Sequence, residues 1–206
     1  LAPMILARTE SNALVFGSME TVGAVGMVIG GVAIGAWGGF TRRIHGVLAG
    51  WMLSFVGILI TGLGRAEPPW MMAIWGAGIL ASALVVSLIN GSNQAIWMAK
   101  VAPEVQGRVF TTRRLIAWVA SPLARLVAGP LADYVMEPAM GQGGALAGTF
   151  GRLVGTGPGA GMSLLFVLTA LAGLAVMAGA YFIPMVRNVE DILPDHEGAA
   201  QAPAVG

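Results

Sequence analysis

Five apolar stretches, each long enough to cross a lipid bilayer as a helix, follow one another along this chain with short polar breaks between them. They fall at about 12–37, 44–64, 70–98, 115–134 and 161–183. A hydrocarbon core of about 30 Å is crossed by roughly 20 residues of helix. Inside that core every backbone N–H and C=O must be bonded within the protein, so open strand edges cannot survive there. Continuous strands are excluded at these lengths, and the chain reads as an all-α membrane protein with about five transmembrane helices. The third stretch is long for a single span, so it must tilt or project into water.

Composition supports this reading and removes several function classes. Only 10% of the residues are charged and 56% are hydrophobic, where a soluble domain carries about 25% charged residues. The formal net charge is +1, and no basic stripe suggests nucleic acid as a partner. Cysteine is absent, which excludes disulfides and thiolate metal sites. His45 and His196 stand alone, so no metal cluster is expected. Gly155-Thr156-Gly157-Pro158-Gly159 has neither the lysine nor the preceding strand of a phosphate loop, and no nucleotide or other cofactor is expected. No serine, cysteine or paired-carboxylate set suggests an enzyme. Residues 1–8 lack the charged start of a signal peptide and read as the end of a preceding helix.

Lysine and arginine placement sets an orientation, because short cytoplasmic loops collect these residues. Arg42, Arg43, Lys100, Arg108, Arg113, Arg114 and Arg187 fall on one side of the alternating breaks, and Arg8, Arg65 and Arg152 on the other. The first side is expected to be cytoplasmic. The chain then sits in the cell (inner or plasma) membrane with its N-terminus outside. The tail from 190 to 206 lies inside, expected to be disordered. In the long outer connection, Leu146, Phe150, Leu153 and Val154 share a helical spacing that predicts a short interfacial helix.

Several residues within the spans could carry function. Glu20 lies about 12 Å inside the first span, and Arg125 about 17 Å beyond Arg114, at 1.5 Å per residue. Charges at such depth face a cavity, a bundle interior or a partner, and the two depths allow an ion pair that locks the bundle or carries a proton. Asn90, Asn93, Gln94 and Trp97 share one helical face. Their amides serve either as glue between helices or as the lining of a substrate path. Pro122 and Pro130 each remove a backbone hydrogen bond from the fourth span and are expected to bend it. The bend is either fixed or part of a transport pathway, with the Pro122 kink lining the substrate path beside Asn90, Asn93 and Gln94. Gly26/Gly30 and Gly31/Gly35 have the spacing that lets helix backbones approach closely. Static packing and a sliding surface for a rocking helix both require these glycines. Trp51, Trp70, Trp75 and Trp118 read as interface anchors or packing aromatics.

Three segments carry a family resemblance: residues 37–46 (Trp-Gly-Gly-Phe-Thr-Arg-Arg-Ile-His-Gly), 90–97 (Asn-Gly-Ser-Asn-Gln-Ala-Ile-Trp) and 100–110 (Lys-Val-Ala-Pro-Glu-Val-Gln-Gly-Arg-Val-Phe). Ser121-Pro122-Leu123, residues 128–133, Glu137-Pro138 and the Glu190-Asp191-x-x-Pro194 tail continue it. Together they resemble the macrolide-efflux-like branch of the major facilitator superfamily. The resemblance implies twelve helices in two six-helix halves, and alternating access driven by protons. The five spans would be the eighth to twelfth, most of one half. It further implies cytoplasmic gating contacts for Arg42 and Arg43, with Gly107 and Arg108 in the next break on that side. The acidic residue usual in the Arg42–Arg43 signature is absent.

The expectation is therefore part of a secondary transporter that exports amphipathic small molecules, macrolide-like drugs or secreted metabolites, by proton antiport. Its partners would be the substrate, protons, the bilayer and the missing N-terminal half. The competing expectation is a non-transporting, half-size helical bundle that scaffolds or self-assembles.

Overall fold

The computed structural model describes residues 1–65, 69–192 and 195–196. Among them the architecture is all-helical, with five helices long and apolar enough to cross a membrane. A short helix α1 (Ala2–Arg8) leads into α2 (Ala13–Trp37), α3 (Arg43–Leu63) and α4 (Met72–Lys100). Then come α5 (Pro103–Pro130), a π-helical segment (Leu131–Met136) and α6 (Glu137–Met140). The short helix α7 (Ala147–Val154) precedes α8 (Ala160–Phe182), and two single turns, α9 (Pro184–Arg187) and α10 (Val189–Ile192), follow.

Local chemistry sets the ends of these helices. Asn12 caps α2 by accepting from the N–H groups of Leu14 and Val15 at 3.0 and 3.2 Å, which satisfies two orphan donors of the first turn. Gly38 stops the same helix in the left-handed conformation at φ +82°, which glycine adopts without a Cβ penalty. Pro103 opens α5 as its first residue, where its missing N–H costs nothing.

The bundle is a row in which α4 lies between α2 and α3, and α3 lies between α4 and α8. α2 runs parallel to α4, and α3 antiparallel to both α4 and α8. Small residues make these approaches possible. A Cβ at Gly26 would sit 2.9 Å from Cβ of Ala83, and one at Gly30 would overlap the carbonyl group of Leu84. The Gly26/Gly30 pair is therefore the α2–α4 contact, whereas a Cβ at Gly35 would meet nothing. Gly57 and Gly78 bring α3 and α4 together in the same way, and Ser82 Oγ donates across that contact to the Ser54 carbonyl at 3.2 Å. Without a water-driven hydrophobic force between helices in lipid, close packing and such bonds hold the row together.

Most large buried side chains lie at the Arg8 end of the row. Met4, Ile5, Met19 and Trp75 form one cluster. Met140, Val154, Leu164 and Val167 form another, with Leu146 and Phe150 packed against it. The predicted interfacial helix corresponds to α7, which turns Leu146, Phe150 and Val154 inward while Leu153 stays 46% exposed. Trp75 is fully buried as a packing aromatic, whereas Trp51, Trp70 and Trp118 are exposed.

The fourth span differs most from its expectation. The sequence places it at 115–134, yet continuous helical structure runs from Pro103 to Met140. The arginine-rich segment before 115 is helical because nothing in it breaks a helix after Pro103. Pro122 lies inside the helix without ending it, and Pro130 stands where α geometry gives way to the π segment. A proline lacks the N–H that would continue the ladder, and the wider π turns follow directly after it. α5 buries none of its residues; Ile116, Val119 and Leu126 are all at least 63% exposed. The first residues of the tail complete a helical turn, Val189–Ile192, while 193–194 and 197–206, on which most of the expectation of disorder falls, lie outside the described residues.

Candidate functional site

Three places bring together polar groups that a membrane bundle would otherwise exclude. The first is the C-terminal half of α4. Its Ser92 side is buried against α3, where a Cβ at Gly46 would be 2.5 Å from Ser92 Oγ. The opposite side is open, with Asn90 and Gln94 exposed one turn apart. Asn93 is partly buried because Arg113 of α5 reaches back to it, Nη2 donating to Oδ1 at 3.4 Å. The Arg113 guanidinium also lies over the Trp97 ring, 4.3 Å from its centroid, within cation–π range. Beside this bracket opens a cleft of about 440 Å³ lined by Gln94, Phe110, Thr111, Arg113, Arg114 and Ala117. Pro122 lies exposed on α5, about one and a half turns beyond Ala117 at the edge of the cleft, and does not line it. The structure thus joins Asn93 and Gln94 to an arginine that sequence reading had assigned only to the basic side.

The second place is the Arg42 end. Here the beginning of the tail folds back over the α2–α3 break. Arg42 Nη2 pairs with Asp191 Oδ2 at 3.2 Å, and Glu190 Oε1 accepts from the backbone N–H of Ile44. Lys100, at the end of α4, donates to the Glu190 carbonyl at 2.7 Å and pairs with Asp195 at 2.9 Å. Arg43 Nη1 donates to the Ala95 carbonyl at 3.0 Å. Helix α3 has no side-chain cap of its own from Arg42, so a carboxylate 146 residues away supplies it. A negative charge is favourable there because the helix dipole leaves the N-terminus partly positive. Two acids of the tail, Glu190 and Asp191, thus lie beside the Arg42–Arg43 break. Gly107 and Arg108 are exposed on α5 and form no part of this cluster.

Breaking this docking has a measurable consequence. The Arg42–Asp191 pair has both side chains more than half exposed, so by itself it is worth about 1 kcal/mol or less. Glu190→Gln combined with Asp191→Asn also weakens the cap on α3. Trypsin is expected to cut after Arg42 or Arg43 severalfold faster in intact membranes of the double variant. Equal cleavage rates would show that the tail does not hold this break.

The third place is the Arg8 end. Arg8 donates to the carbonyls of Gly64 at 3.1 Å and Val154 at 2.5 Å. Arg65 Nη2 donates to the carbonyls of Arg152 and, at 3.0 Å, Leu153. Two arginines thereby satisfy the last carbonyls of α7. Burial pulls the Arg8 guanidinium down to about 10, opposed by nearby Glu137 and assisted by Arg65. Glu137 accepts from Gly159 N at 3.0 Å and Met162 N at 2.9 Å, capping α8. The sequence marks Glu137 only as part of a family pattern.

Glu20 and Arg125 are both exposed, on α2 and α5, and the described residues show no ion pair between them. The contacts explain why: α2 packs against α4 and α1, and no extensive contact joins it to α5.

No family model matches this chain, and no solved structure matches it significantly. It is 29% identical to the macrolide efflux protein A of Streptococcus pyogenes over 112 residues, which are 54% of this chain and 27% of that protein. It is also 29% identical to the macrolide efflux protein A of Enterococcus faecalis over 100 residues, 48% of this chain and 30% of that protein. The matched part thus amounts to less than a third of either relative. The chain's own five membrane-length helices mark it as an all-α membrane protein.

Proposed function

We propose that the chain forms most of the C-terminal half of a major facilitator-type transporter that exports amphipathic small molecules, macrolide-like drugs or secreted metabolites, in exchange for protons. The observation that carries this reading is the exposed amide pair Asn90 and Gln94 on a helix whose other faces are packed. Amides cannot be left unbonded against lipid tails, so this side of α4 suits a wet path better than hydrocarbon. The unburied helix α5 suits the same reading, because it can move against the row without breaking a packed core. Arg42, Arg43 and Lys100, with the tail across them, would form the cytoplasmic gate, and the Arg8 end would face outward. The N-terminal half of the same protein would complete the path. Glu20 and Arg125, each without an ion-pair partner among the described residues, remain the candidates for proton coupling.

The test uses the complete protein in a bacterial host stripped of its own drug exporters. Accumulation of a radiolabelled macrolide is expected to fall severalfold on expression and to recover when a protonophore collapses the gradient. Asn90→Ala with Gln94→Ala is expected to raise accumulation again at an unchanged protein level. Equal accumulation with and without the protein would sink macrolide-type export and favour a scaffolding bundle. Proton-driven export unaffected by Glu20→Gln would remove Glu20 from coupling.

A further inference from the structure

The elbow between α4 and α5 has a charge pattern that export of neutral or cationic drugs leaves unused. Helix α4 contains no carboxylate, and α5 contains none after Glu104, whereas α5 carries Arg108, Arg113, Arg114 and Arg125. Of these, Arg113 is held in place. Trp97 lies beneath its guanidinium, with 4.3 Å to the ring centroid, and Asn93 accepts from one nitrogen at 3.4 Å. Both partners project from α4 one turn apart, so the planar group is fixed by a stack and a hydrogen bond together.

A guanidinium carries five N–H donors. The bond to Asn93 occupies one of them, and stacking occupies none. The cleft of about 440 Å³ beside it is lined by Gln94, Thr111, Arg113 and Arg114 together with the apolar Phe110 and Ala117, and no acidic residue is among them. Beyond it, α5 presents exposed apolar side chains at Leu115, Ile116 and Val119. A preorganised arginine fork matches the paired oxygens of phosphate or carboxylate, and the apolar stretch that follows suits a hydrocarbon tail.

We propose that the α4–α5 elbow binds the anionic head of an amphiphile, a phosphate or carboxylate, through Arg113 held by Trp97 and Asn93, with Arg114 and Gln94 completing the site. Two sources supply this chemistry: the headgroup of an anionic phospholipid in the adjoining leaflet, or a free anionic amphiphile. Its place at the cytoplasmic side rests on the orientation argued under the proposed function, but the binding chemistry does not.

The complete protein in phosphatidylcholine nanodiscs is titrated calorimetrically with dodecyl phosphate, with dodecyltrimethylammonium as the charge-reversed control. Saturable binding of dodecyl phosphate is expected, at least tenfold weaker in Arg113→Gln and weakened less in Arg113→Lys, which keeps the charge but loses the fork. Equal binding of the two amphiphiles, or unchanged affinity in Arg113→Gln, would overturn the proposal. Should Arg113→Gln fail to fold, Arg113→Lys and Gln94→Ala carry the test, and unchanged affinity in both overturns it. Repeating the titration with phosphatidylglycerol in the discs separates the sources: competition identifies a lipid headgroup, undiminished binding a free amphiphile, and either supports the anionic class. Macrolide accumulation is measured on the same variants. Arg113-dependent binding without macrolide export removes the transport reading and keeps the site, and export without such binding does the reverse.

Discussion

Gly30→Ala is expected to give a complete protein that leaves the membrane in detergent as a markedly less stable species, whereas Gly35→Ala is at least as stable as the parent. The two glycines lie on the same helix with the same chemistry, and only their surroundings differ. A Cβ at Gly30 would overlap the carbonyl of Leu84 on α4, while one at Gly35 would meet no atom within 4 Å. The obstacle at Gly30 is backbone, so no side-chain rotation relieves it and the helices must separate. Overpacking of a tight contact costs about 1–3 kcal/mol and sometimes more, and a rigid obstacle belongs at the upper end. Alanine at Gly35 would instead gain up to about 1 kcal/mol of helix propensity. The measurement is the midpoint of thermal aggregation in detergent for both variants. Matching midpoints would mean that α2 does not pack on α4 through Gly30.

The same pair of glycines shows how far the sequence alone reaches. Spacing identifies Gly26/Gly30 and Gly31/Gly35 equally, because four-residue spacing places each pair on one helix face. Which face meets a neighbour depends on where α4 lies, and that information is not local. The five spans were legible for the opposite reason: hydropathy over about 20 residues reports on the bilayer and needs no knowledge of neighbours. The early start of the fourth helix was missed because a hydropathy window penalises the arginines at 108, 113 and 114, although arginine is itself a good helix former. Pro122 was legible as a helix proline because a single proline inside a long helix removes one bond and leaves the rest of the ladder in place, and the helix runs unbroken through it.

The candidate sites divide along the same line. Asn90 and Gln94 could be placed on a shared face from spacing, since both stand on one helix. The bracket around Arg113 joins residues of two helices, and the tail over Arg42 joins residues 149 positions apart. One signal for that docking was present: an acidic Glu190-Asp191 pair follows the last span on the side where Arg42, Arg43 and Lys100 collect. Opposite charges confined to one face of a membrane have few other places to go. The Glu20–Arg125 pairing had only equal depth behind it, and depth does not fix which sides of two helices meet.

Glu137→Ala is expected to be the most damaging single change at the Arg8 end, and more damaging than Arg152→Ala nearby. Helix α8 is preceded by Gly159, which as a glycine at φ +78° has no side chain to cap the first turn. Both Glu137 oxygens fill that role, one on Gly159 N and one on Met162 N. Hydrogen bonds to a charged group are worth about 1.5–3 kcal/mol each. Removing the carboxylate also strips Arg8 of the acid that offsets its burial, leaving Arg8 and Arg65 to repel one another beside the separate α7 carbonyls that each of them bonds. Glu137→Gln separates the two effects. An amide oxygen can accept one of the two bonds but carries no charge, so this variant should fall between the parent and the alanine. The check is backbone hydrogen exchange over residues 159–165 of the complete protein in detergent, expected to quicken at least tenfold in Glu137→Ala and hardly at all in Arg152→Ala. Equal protection in the parent and all three variants would show that α8 holds its start by packing, without the Glu137 cap.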